Sequence, residues 1–410
     1  MNAITRKINF EKTYYYLIML FAFTMPLSRA SISLLVILLP ITWLIEGDFK
    51  QKFKVIQNNQ TLLSFLIFIL VTILSLLWTQ NYEDAGRPLR MLLYLATIFV
   101  IATSLKREYV NNVISAFLAG MFISEFIAYG VFFEIWQFKH ATPQNPSPFM
   151  FHIDYSVFMA FTSILLLHRI LSKRYKLKEK LIFGVFFVTV TGNLFLAAGR
   201  TGQVALIAAI IVMSIIHFRL SLKSILTSLL LITTIYATAY NVSSTFEIRA
   251  HQAMSDVKKV LNADFNSSWG IRAAFWMTTL NILKEHPFGV GVGDYIDATK
   301  AEVQKQKYNN LLSNESKLFI SDNHPHNQYL LIFLQSGFIG LLSFLYFIYK
   351  FLTLKIDNQE LKELSILFMT IFLVSFLAEP LFLKQFTIAL FGLFVGLFVN
   401  YNIQSLNETQ

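Results

Sequence analysis

NQYLLIFLQSGFIGLLSFLYFIY, residues 327–349, places twenty-three residues in a row without a charge. A helix needs about 20 apolar residues to cross the hydrocarbon core of a bilayer, so this run is long enough to span one. Runs of the same kind lie outward on both sides, near 14–28, 30–46, 61–78, 89–104, 110–133, 153–170, 181–198, 201–218, 224–240, 363–378 and 383–400. Lipid offers the backbone no hydrogen-bond partner, so each run must be a helix. The expected fold class is an all-α polytopic integral membrane protein with about twelve transmembrane helices.

Composition agrees. Of 410 residues 55% are hydrophobic and 14% charged, where a soluble domain has roughly 25% charged residues, so an ordinary soluble fold is excluded. Cysteine is absent, which rules out disulfides, thiolate catalysis and Cys-ligated metals. The basic opening MNAITRKINFEK leads into an apolar run as a signal peptide would, but no small-residue cleavage site follows, so the run is read as a retained first span.

Lysine and arginine fix the expected orientation. Segments 1–13, 46–60, 105–109, 168–180, 217–223 and 350–362 carry 19 Lys/Arg, while the short loops on the other side carry few, which puts both termini in the cytoplasm. The net charge of +10 is mostly this asymmetry and asks for no nucleic-acid partner.

The expected division is 1–240 for the first nine spans, 241–326 for one large outer loop, and 327–410 for the last three spans. The loop balances nine Lys/Arg against nine Asp/Glu, and a connection of that length usually carries function. Apolar spacing predicts helices over 246–261, over 268–285 with Ser268 as N-cap and an apolar face of Ile271, Phe275, Trp276 and Leu280, and over 301–318. Between them HPFGVGVGDY cannot continue a helix and is expected to be a tight loop. Its glycines lack the strand-then-helix setting and the lysine of a nucleotide cradle, leaving a sugar- or phosphate-facing loop or helix packing as readings.

Charged residues at the ends of spans are the candidate site. Arg200 lies in a turn between two apolar runs, and Arg272 in the first turn of the loop's second helix. A guanidinium at membrane depth is costly unless it is paired or faces a ligand, and its planar fork matches phosphate oxygens. Arg87 and Arg90 are candidates to extend the patch. Glu125, Asp154 and Glu379 are candidates to orient Arg200 or a histidine, or to meet substrate hydroxyls.

Before the run that opened this section stands SDNHPH, residues 321–326. Asp322, His324 and His326 allow three readings: metal ligands lacking a further nearby donor, a polar helix start capped by Asn323 or Asn327, or a general base for a hydroxyl.

His326-Asn327, nine residues, Gly337, two residues and Gly340 resemble the H-[NSQ]-x9-G-x-x-G signature of O-antigen ligases and the related O-antigen polymerase superfamily. Arg272 and Trp276, followed by Pro287, Gly289, Gly291, Gly293 and Tyr295, also look like the loop of that superfamily. The resemblance implies a GT-C-like glycosyltransferase of the Gram-negative inner membrane, with its active site on the periplasmic face, a glycan on undecaprenyl diphosphate as donor and the lipid A core oligosaccharide as acceptor. It implies His326 as base, Arg200 and Arg272 as diphosphate ligands, and neither metal nor cofactor; His324, whose part the motif does not define, Asp322 and Asn327 are candidates for support. Attack opposite the leaving group would invert the anomeric centre. An O-antigen polymerase or a protein O-glycosylating relative would share this chemistry. A transporter or flippase of lipid-linked glycan would suit the span count, but no six-plus-six repeat is visible and the polar residues gather at one face.

Overall fold

All twelve apolar stretches are helical in the computed structural model, which describes residues 9–408. Up to the large connection the order is α1 (Phe10–Thr24), α2 (Arg29–Glu46), α3 (Phe49–Asn58), α4 (Gln60–Leu74), α5 (Tyr82–Ser104), α6 (Val110–Phe132), α7 (His152–Leu171), α8 (Leu177–Leu196), α9 (Arg200–Phe218) and α10 (Leu222–Val242). The connection holds α11 (Ser244–Leu261), α12 (Ser268–Glu285), α13 (Tyr295–Val303) and α14 (Asn314–Asp322). The chain closes with α15 (Gln328–Leu352), α16 (Gln359–Phe376) and α17 (Gln385–Glu408). Among the described residues, ten helices are long and apolar enough to cross a membrane. Of the expected spans, α1 has only 15 residues and α16 opens on the polar QELKE. Residues 1–8, with most of the basic opening, lie outside the described residues.

Nearly every side chain of α7 and α17 is buried, so these two helices form the centre of the bundle. Lipid tails are as apolar as leucine, so such helices associate through packing rather than water exclusion. Aromatic rings supply that packing: Phe161, Phe368 and Phe394 meet with centroids 4.6–5.4 Å apart.

The connection departs from expectation in three places. The helix expected over 301–318 is interrupted: α13 ends at Val303, and α14 starts afresh where Ser313 Oγ accepts the Ser316 N–H. Ser267, not Ser268, caps α12, its hydroxyl accepting the Gly270 N–H. The face that α12 buries is Ala274, Phe275, Thr278, Ile282 and Leu283, so Trp276 and Leu280 point outward.

The run 327–349 is not one continuous helix. Gly337, at φ +62, breaks α15 and frees the last carbonyls of its first half. The glycine loop after α12 satisfies them: Val290 N–H donates to Leu334 O at 2.7 Å and Gly291 N–H to Gln335 O at 3.1 Å. In return Phe338 N–H donates to Pro287 O at 3.2 Å. A Cβ on Gly337 would lie 2.3 Å from the Phe288 carbonyl carbon, so only glycine fits. Helix packing, rather than a phosphate, thus accounts for the glycine run, and the splice fixes the start of α15 against the connection.

Candidate active site

Three consecutive side chains at the start of α15 grip the 377–382 turn between α16 and α17. His326 Nδ1 lies 3.0 Å from Glu379 Oε1, Asn327 Nδ2 donates to Leu377 O at 3.2 Å, and Gln328 Oε1 accepts from Phe382 N at 2.9 Å. Asn327 also caps α15, its Oδ1 accepting the Leu330 N–H. His326 itself sits at φ +39, in the left-handed region, where Pro325 is buried and the His326 N–H turns back to His324 O at 2.9 Å. Such backbone is held only where the surroundings over-determine it.

The clasp sets the imidazole's chemistry. With Nδ1–H donating to Glu379, Nε2 keeps the lone pair and carries no hydrogen bond among the described residues. Phe319 stacks parallel to the ring at 6.0 Å and Phe275 meets it edge-on at 5.9 Å. Burial alone would raise the Glu379 carboxyl, but the His326 hydrogen bond and the Lys384 charge hold it below the usual carboxylate range. A carboxylate on Nδ1 and a free Nε2 is the arrangement of an oriented general base.

Two guanidiniums converge on Ser268 of α12. Arg272 Nη1 donates to Ser268 Oγ and to Ser268 O, both at 3.0 Å, and Arg200 Nη2 reaches the same hydroxyl at 3.4 Å. Arg200 Nη1 is buried without a hydrogen-bond partner. Arg249 is a further cation within electrostatic reach of Arg200, and the acid in reach, Asp256, makes no ion pair with it. Arg272 and Phe275 are three apart on α12, so about 5 Å along one helix separates the arginine from the wall of the imidazole. Arg200 comes in because Gly199 and Gly202 let the start of α9 lie on the start of α7, where Ser156 Oγ accepts the Gly202 N–H at 3.1 Å.

The remaining sequence candidates divide. Asp154 is buried in the first turn of α7, its Oδ1 without a partner, within electrostatic reach of Lys384 and Glu379. His324 meets His326 with ring centroids 4.7 Å apart, and burial, then the neighbouring His326, pushes its pKa down to about 4. Asp322 ends α14 exposed and bonds to neither histidine. Arg87 reaches towards Leu383 O, at 3.5 Å, and Arg90 is exposed; neither bonds to the Arg200–Ser268–Arg272 group. Glu125 accepts from Thr189 Oγ1 at 2.8 Å and belongs to the contact of α6 with α8.

The fold adds residues that sequence reading left aside. Lys384 Nζ lies 3.8 Å from Glu379 Oε2, and His152 feels Lys384, Arg249, Glu379 and Arg200 together. Ser268, read as a cap, is the oxygen shared by both arginines. The spacing of Glu379 and Lys384 within one short turn was the available signal. The fold also supplies the third donor that the two histidines lacked: ligand atoms of His324, His326 and Glu379 lie within 4.8 Å of one another, a grouping able to hold a metal. Glu379 already faces His326 and the Lys384 ammonium, so a divalent cation there would add positive charge beside an existing one.

Residues 185–345 match the family model described as O-Antigen ligase. Over that stretch the chain is similar to the O-antigen ligase superfamily. No curated protein matches the chain. The ligase-family stretch includes Arg200, Arg272, His324, His326, Gly337 and Gly340, whereas Asp154, Glu379 and Lys384 lie outside it. The helices indicate a multi-pass membrane protein, and the family match supports a ligase- or polymerase-like function.

Proposed function

We propose that this protein is an O-antigen ligase: it transfers a glycan from undecaprenyl diphosphate to a hydroxyl of the lipid A core oligosaccharide, at the periplasmic face of the inner membrane. The observation that carries the reading is the His326–Glu379 pair, whose imidazole meets Phe275 one helix turn from Arg272, together with two arginines that share one serine and have no carboxylate ion pair among the described residues. The acceptor hydroxyl attacks the anomeric carbon and its proton passes to His326 Nε2. The carbon–oxygen bond to the diphosphate breaks with its electron pair on the leaving oxygen, and Arg200 and Arg272 meet the charge that develops there. Glu379 stabilises the imidazolium. Because base and cations act on opposite sides of the reacting carbon, the anomeric centre inverts. Arginine supplies the charge a metal would, so transfer is metal-independent. The excess of Lys/Arg in the segments at the other end supports cytoplasmic termini.

A deletion strain complemented with wild type or His326→Ala tests this. Loss of ligase leaves full-length glycan on undecaprenyl diphosphate and bare core. Core carrying one repeat would make the protein a polymerase, and unchanged lipopolysaccharide would remove both. Purified protein in EDTA is expected to keep its transfer activity; a loss restored only by a divalent ion would return His324, His326 and Glu379 to metal ligation.

A further inference from the structure

Seventeen residues along α7 from His152, about 25 Å from the reacting end, a second polar site opens where α6, α7 and α16 meet. It is a small, open cleft whose polar lining is Asn111, His168, Arg169, Arg174, Tyr175, Asn358 and Glu360. Arg169 is only 7% exposed, yet its guanidinium makes no ion pair or hydrogen bond among the described residues. It rests instead between the rings of Tyr175 and Phe183, 5.5 and 5.4 Å away. The two acids nearby are already engaged: Glu360 accepts from Ser172 Oγ, and Glu363 holds His168 Nε2 at 3.1 Å and Gln359 Nε2 at 2.9 Å. Leading out of the cleft, residues 169–180 carry six Lys/Arg and a single acid, Glu179.

We propose that this cleft binds the phosphodiester headgroup of an anionic phospholipid. A buried guanidinium without a counter-ion is stable only if something else meets its charge, and ring faces meet part of it. A phosphate presents two oxygens to the free fork. The site lies at the end of the spans, at headgroup level, and the exposed Lys173, Arg174, Lys176 and Lys178 draw anionic lipid to it. Its place at the ends of α7 and α16 means that headgroup binding ties together the two helices whose other ends carry Asp154 and Glu379. The proposal is independent of which glycan is transferred.

The test uses the full-length protein, purified in neutral detergent, stripped of lipid and titrated with phosphatidylglycerol or phosphatidylcholine under native mass spectrometry. Wild type is expected to retain phosphatidylglycerol about tenfold better, and Arg169→Gln to lose that preference. Arg174→Gln, on the exposed loop where folding is not at stake, is expected to weaken it about fivefold. Equal retention of the two lipids overturns the proposal. So does unchanged preference in folded Arg169→Gln, which would assign the effect to the loop surface, or in Arg174→Gln if the Arg169 variant does not fold. Full displacement of the lipid by excess inorganic phosphate overturns it as well, because the cleft would then be a free-phosphate site.

Discussion

His326 and the arginine pair, the two walls of the proposed site, are held in opposite ways. The imidazole has Glu379 at 3.0 Å on Nδ1, Phe319 stacked on its face, Phe275 at its edge, and a strained backbone fixed between Pro325 and the cap at Asn327. Arg200 and Arg272 share one hydroxyl, and Nη1 of Arg200 has no hydrogen-bond partner among the described residues. A base must be aimed before its substrate arrives, whereas a phosphate site needs unspent donors. In the proposed mechanism the base is therefore preorganised by protein contacts, and the anion site is left for its ligand to complete.

Breaking the organised wall gives the largest effect. His326→Ala is expected to cut transfer by on the order of 10²–10⁴-fold, the usual worth of a general base. The bundle should stay folded, since Asn327 and Gln328 keep two of the three grips. Single-turnover transfer with purified donor and acceptor measures it, and activity within about tenfold of wild type would place the base elsewhere.

The open wall is broken more gently. Arg272→Lys keeps the charge and loses the fork, so kcat/KM for the diphosphate donor should fall by about 10–100-fold while the acceptor KM holds. Arg200→Lys should behave alike because both reach Ser268. Equal losses for donor and acceptor would show that the pair shapes the site rather than binding its anion.

Glu379→Gln sharpens the comparison, because it keeps a hydrogen-bond acceptor for His326 Nδ1 and removes only the charge. A drop of about tenfold in kcat with donor KM unchanged is expected of a group that stabilises the imidazolium through His326. If donor KM rises instead, Glu379 serves the cations around Lys384.

The same contrast explains what could be read in the sequence. Twelve apolar runs gave the helices, since uncharged stretches of that length have few other outcomes. His326, Arg200 and Arg272 were legible because each is a costly charge or a titrating ring at the end of a span, and because His326 has a motif around it. Glu379 could be named but not paired: 53 residues separate it from His326, and periodicity carries no information about which helix ends meet. Ser268 looked like a cap because serine before a helix usually is one, and Ser267 took that role instead. The break at Gly337 was hidden because a glycine inside an apolar run reads as helix. Its cause lies in backbone groups of the loop after α12.

The smallest effect on transfer, and the cleanest on stability, belongs to His324. It touches His326 but bonds to no carboxylate, so His324→Gln should leave transfer within a few-fold of wild type. Its burial has a separate consequence. The folded protein keeps His324 neutral down to about pH 4, while the unfolded chain takes up the proton near its ordinary value of 6.5. Between those values the unfolded state binds more protons, so this contribution is complete above about pH 6.5 and is lost as pH falls towards 4. The loss is at most about 3 kcal/mol. Thermal unfolding in detergent, followed across that window, should show a flatter decline for His324→Gln than for wild type. Glu379 is held low, so its own stabilisation persists in the variant until the pH drops below its ordinary value of 4.5. An identical slope in both proteins would mean that His324 is protonated in the fold, adding a charge beside the base that its neighbours would have to offset.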